Sequence, residues 1–97
     1  MKQTTKSLNG TSFHGDIIST TADKLIATFG PPQYECNDGS DKTNMEWNME
    51  DEFGDVFALY DWKYYRPLRM DEVVPWHIGC HSKEISKRIV GRLKEIL

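Results

Sequence analysis

The sequence predicts an α+β domain in the order β-α-β-β-β-α, with a four-stranded, mainly antiparallel sheet and two helices packed on one face. Three observations lead to this. Two segments, 20–29 and 82–97, carry apolar residues at helical spacing. A hairpin pattern with period two occupies 43–63. Finally, 97 residues with 38% hydrophobic and 28% charged content make a single domain, too apolar for a disordered chain and too polar for a membrane protein.

Residues 1–12 are polar and aperiodic and read as a flexible arm ahead of a single domain over 13–97. Phe13–Ser19 is the first strand, anchored by Ile17 and Ile18. The first helix runs over Thr20–Phe29. Thr20 and Asp23 have capping-box spacing, and Ala22, Leu25, Ile26 and Phe29 form one apolar face. Gly30 and the pair Pro31–Pro32 stop it. Gln33–Lys42 is loop chemistry, a flexible connector. Its oxygen-rich stretch Asn37–Asp41 lacks the spacing and closing glutamate of a calcium loop.

Thr43–Glu50 alternates Met45, Trp47 and Met49 with Glu46, Asn48 and Glu50. A turn at Asp51–Gly54 leads to Asp55–Lys63, which is apolar on both sides. Tyr64–Glu72 is a longer loop, and Val73–Cys80 is a strand whose Pro75 suggests an edge or a bulge. Ser82 caps the last helix, Glu84 suits its first turn, and Ile85, Ile89, Leu93 and Ile96 form its stripe. Gly91 weakens this helix, unless it permits a close approach to the sheet.

Net charge is −3 and the pI is about 5.5, which argues against dedicated nucleic-acid binding. Between Glu35 and Asp61 the acids face a single basic residue, Lys42, whereas Lys83–Lys94 is basic but for Glu84. Two solvated faces of opposite sign are expected. The opening residues carry no apolar leader and no apolar run is long enough to span a bilayer, so the expected location is cytoplasmic, with no membrane contact. Cys36 and Cys80 are then reduced thiols. His77, Cys80 and His81 resemble a zinc cluster only loosely, because strand alternation parts His77 from Cys80. No motif for a cofactor or for nucleophilic catalysis is present, and none is expected to act.

The best candidate site is the sheet face turned away from the helices. If Met45, Trp47, Tyr60, Trp62, Trp76 and Ile78 face the helices, then Glu46, Asn48, Phe57, Leu59, Asp61 and His77 share the open face. Lys63, Arg66 and Arg69 adjoin it, and the two arginines, with Tyr64 and Tyr65, are able to hold a phosphate or stack on a base. A carboxylate beside His77 would permit proton transfer.

Several short pieces also form a joint pattern: Thr20-Thr21-Ala22-Asp23-Lys24-Leu25 leading to Phe29-Gly30-Pro31-Pro32, then Asp41-Lys42, Glu46-Trp47, Tyr60-Asp61-Trp62-Lys63 and Trp76-His77-Ile78-Gly79. Over residues 13–90 the chain resembles a set of small, uncharacterised phage-encoded proteins. The Tyr-Asp-Trp-Lys and Trp-His-Ile-Gly pieces are the most specific. A second small residue usually follows the glycine in that set, where this chain has Cys80-His81. The resemblance implies a non-enzymatic protein acting in the host cytoplasm on a host enzyme or defence component. A small-molecule or nucleotide-sequestering protein is the alternative, and a small enzyme using His77 with a carboxylate is a third. A homodimer through the open face is also compatible with the pattern.

Overall fold

The structure, a computed structural model, describes residues 1–97. Strands are β1 (Lys2–Gln3), β2 (Ser12–Thr21), β3 (Tyr34–Glu35), β4 (Met45–Glu50), β5 (Val56–Tyr60) and β6 (Val73–Cys80). Helices are α1 (Ala22–Phe29) and α2 (Lys83–Ile96). All strand pairs are antiparallel, in the order β1-β4-β5-β6-β2, with β3 beside β1 on the same edge of β4. The α+β class and the two helices on one side are as predicted, but the sheet has six strands instead of four. The additions are the two-residue β1 and β3.

β1 corrects the expectation of a free arm. Lys2 and Gln3 pair with Glu50 and Met49, and Gln3 Nε2 donates to the carbonyls of Phe29 and Pro31. Met1 packs against the core. Between β1 and β3 the edge of β4 is completed by a side chain. Gln33 Nε2 donates to the Asn48 carbonyl and its Oε1 accepts from the Asn48 amide, an imitation of a peptide group.

The cap of α1 also moves. Thr21, not Thr20, accepts from the Lys24 amide, and Thr20 remains in β2 opposite Val74. Strand therefore passes into helix with no loop between them. Two tryptophans fix α1 at its ends: Trp76 Nε1 donates to Thr20 O before it and Trp47 Nε1 to Gly30 O after it, each at 2.9 Å. Their rings meet edge to face with centroids 5.4 Å apart, at the centre of a core that also holds Ile18, Leu25, Met45, Met49, Phe57, Leu59, Ile78, Ile89 and Leu93. Ser82 caps α2 as expected, accepting from the Ile85 amide. Gly91 is exposed, and a Cβ there would meet nothing within 4 Å, so it serves no close approach to the sheet.

The largest correction concerns β5. Trp47 pairs with Leu59 and Met49 with Phe57, so Phe57 and Leu59 lie on the helix side, both fully buried. Val56, Ala58 and Tyr60 take the open side. The cause is the length of the turn. Five residues, Asp51–Asp55, separate the paired Glu50 and Val56. A four-residue turn would have reversed every side chain of β5. Asp51 holds the longer turn: its Oδ1 accepts from the amides of Phe53 and Asp55, and its amide donates to Asp55 O.

The charge segregation is likewise resolved inside the molecule. Arg88 bonds Asp51 and Asp55, Arg92 pairs with Glu52 and Glu95, and Lys83 and Lys87 approach Asp16. The acidic turn and the basic helix neutralise each other instead of forming two separate solvated faces. No helix is long and apolar enough to cross a membrane.

Candidate functional site

The open face of the sheet is organised by cross-strand rows, because paired residues share a side. One row runs Tyr34, Glu46, Tyr60, His77, Ile17 across five strands. The next runs Asn48, Ala58, Gly79, Phe13. The Tyr60 ring lies over the backbone of Gly79, where a Cβ would come within 3.3 Å of it.

Phe13 and Ile17, four residues apart, share a side by alternation, but β2 is distorted between them. Its register shifts, four residues of β2 matching two of β6, with Gly15 at φ +97°, which sets Phe13 opposite Gly79 and close to His77, while Asp16 points inward. There Asp16 accepts from Ser86 Oγ at 2.7 Å and Lys87 Nζ at 2.9 Å, and these donors hold its carboxyl below the usual range.

The rings on the open face touch. Phe13 stacks on His77 with centroids 4.0 Å apart and planes 16° from parallel. Tyr60 lies 5.4 Å from His77 and 5.9 Å from Trp62. Phe13 is 42% exposed, Ile17 40% and Trp62 40%. Val73 adds a further exposed apolar side chain on the same face. Burial among these groups pushes His77 below its ordinary pKa.

Behind Trp62, two loops are tied together. The Asp61 carboxylate accepts from the amides of Asn44 and Met45 and from Asn44 Nδ2. Asn44 Nδ2 also donates to Arg66 O, and its Oδ1 accepts from the Gly39 amide. Asn37 makes a reciprocal pair of bonds with the backbone of Leu68. The segment read as a flexible connector is thus docked. The Lys63 amide donates to Lys42 O at 2.7 Å, which places both ammonium groups by the Trp62 ring, at 5.5 and 5.9 Å from its centroid.

The residues expected at the site therefore separate. Glu46, Asn48 and His77 lie on the open face, with Lys63 at its rim. Phe57 and Leu59 are in the core for the reason given above. Asp61 is fully buried and committed to the loop clamp. Arg66 forms a two-pronged pair with Glu72 and Arg69 with Asp71. Glu72 is held at a pKa of about 2 by Arg66 and the Arg69 amide, so both arginines already have carboxylates in place of a phosphate.

Sequence reasoning missed Phe13, Ile17, Tyr60 and Trp62 as surface residues. Tyr60 and Trp62 depend on the length of one turn, and Phe13 and Ile17 on how β2 pairs with β6 across its bulge.

No carboxylate reaches His77: Glu46 is two strands away, roughly 10 Å by strand spacing, with Tyr60 between them. The two clefts of the molecule, about 290 and 390 Å³, lie elsewhere, around Asp51, Glu52 and their neighbours at the β4–β5 turn. Cys80 points into the core, where its thiol donates to Ser82 O and is pushed up by burial. No three His, Cys, Asp or Glu side chains are grouped to hold a metal ion.

No family model matches the chain, and neither a curated protein nor a solved structure matches it.

Proposed function

We propose that the chain is a small non-enzymatic binding protein that docks a partner protein on the open face of its sheet. The observation that carries the reading is the ring cluster of Phe13, Tyr60, Trp62 and His77 with Ile17 and Val73, partly in water and covered by no helix. Aromatic side chains give large contact areas at small entropic cost, and such clusters anchor protein interfaces. The face has no cleft, which suits a macromolecular partner better than a small ligand. The resemblance to small phage-encoded proteins supplies the setting: a partner in the cytoplasm of the bacterial host, either an enzyme or a defence component.

The test is capture of partners from host lysate by the tagged chain, alongside an Ile17→Asp/Trp62→Asp variant shown to be folded by circular dichroism. A stoichiometric protein held by the wild type and released by the variant is the expected result. Equal retention by both would remove the open face from the interaction. Wild-type self-association that the variant abolishes would make the face a homodimer interface.

One observation favours a second reading. Lys42 and Lys63 flank the Trp62 ring, an arrangement that suits a planar anionic ligand such as a nucleotide. Thermal stabilisation by nucleotides, lost in Trp62→Ala, would support it.

A further inference from the structure

Most carboxylates withdrawn from water in this protein have a donor. Asp16 has Ser86 and Lys87, Glu50 has Thr4, Lys2 and Lys6, Asp51 has two amides and Arg88, and Asp61 has Asn44 and Met45. Glu46 is the exception. It is half-buried on the open face between Tyr34 and Tyr60, with no hydrogen bond and no counter-ion, and burial alone pushes its carboxyl up.

Two residues along the same strand, on the same side, stands a second vacancy. Asn48 Oδ1 is the one buried side-chain oxygen or nitrogen in the molecule without a hydrogen-bond partner. Its Nδ2 makes no bond within the chain either, so the amide can turn its oxygen outward without losing a contact. A buried acceptor left without a donor is costly, and native structures seldom keep one without a reason.

We infer that the docked partner anchors itself here with an arginine side chain, whose guanidinium donates to Glu46 and Asn48 and lies against the ring of Tyr60. The inference rests on the open face being the docking surface. The chemistry selects the residue. The two residues stand about 7 Å apart along the strand with their side chains on one side, so a planar fork of five donors can serve both where a single ammonium serves one. Guanidinium also packs on aromatic faces, which Tyr34 and Tyr60 supply on both neighbouring strands.

The experiment is selection of a random peptide library on the wild-type protein, followed by affinity measurement of recovered peptides. The expected peptides share an arginine. Their affinity falls about tenfold or more in Glu46→Gln, or when that arginine is changed to lysine, falls less in Asn48→Ala, and is lost in Ile17→Asp/Trp62→Asp. Peptides lost in the double variant but lacking an arginine, or indifferent to Glu46→Gln, would overturn the arginine anchor and leave the docking face standing. Peptides that still bind the double variant, or no peptides at all, would overturn the docking face and the anchor with it.

Discussion

The helix-covered face of the sheet buries Met45, Trp47, Phe57, Leu59, Trp76 and Ile78 completely, and both indole N–H groups on it have carbonyl partners. The open face keeps Phe13, Ile17 and Trp62 partly in water and leaves Glu46 and Asn48 Oδ1 without donors. Both faces are rich in rings, so composition does not separate them. They differ in completion. One face has every contact it needs from its own chain, and the other has a surface whose polar and apolar requirements are both unmet.

The comparison is broken most strongly by truncating matching residues on each side. Leu59→Ala should cost about 2–5 kcal/mol, because it opens a cavity among Trp47, Ile78 and the helices. Trp62→Ala should cost about 1 kcal/mol or less, since its ring borders water. Denaturant melts of the two variants check this. Comparable losses would mean that the open face is a second core.

A smaller effect tests the support behind the rim. Asp61→Ala strands the amides of Asn44 and Met45 and the Asn44 side chain, and should destabilise by about 2–3 kcal/mol. Because Asp61 fixes the loops that carry Lys42, Trp62 and Lys63, Trp62 fluorescence should also shift in the folded variant. An unchanged spectrum would show that the rim is positioned without the clamp.

The covering layer can be strengthened without touching either face. Gly91 is on the solvent side of α2, where a methyl group meets nothing. Gly91→Ala should therefore stabilise by about 0.5–1 kcal/mol, read as a higher midpoint in urea.

Much of the helix-covered side was legible in the sequence. The alternation of Met45, Trp47 and Met49, the apolar face of α1, Ser82 as a cap and the extent of β6 all follow from local chemistry, and the structure keeps them. The open side was legible only in part. Glu46, Asn48 and His77 follow from their strands, but β5 is apolar on both sides, and its facing depends on whether the turn holds four residues or five. The fifth, Asp55, is recruited by the carboxylate of Asp51 and by Arg88, which comes from 33 residues further along the chain. The bonds of Asp51 within the turn hold this parity, and the Arg88 ion pair reinforces it from outside the turn. β1 and β3 are two-residue strands whose formation depends on a distant edge of β4, and between them on the side chain of Gln33, which no short window of sequence contains.

The smallest expected effect concerns Glu46 and is conditional on pH. Its folded-state pKa is raised by burial, so at neutral pH, above both folded and unfolded values, the native state bears the cost of an unpaired carboxylate. Glu46→Gln removes that cost. The variant should melt slightly higher than the wild type at neutral pH. The difference should shrink as the pH falls through the folded pKa and be gone below the unfolded value, where the wild-type carboxyl is protonated in both states. A difference that persists in acid would point to shape instead of charge. The substitution that makes the isolated chain more stable is then the one that weakens arginine-bearing peptides. A group that destabilises its own fold and tightens a complex is what distinguishes a binding surface from an unfinished core.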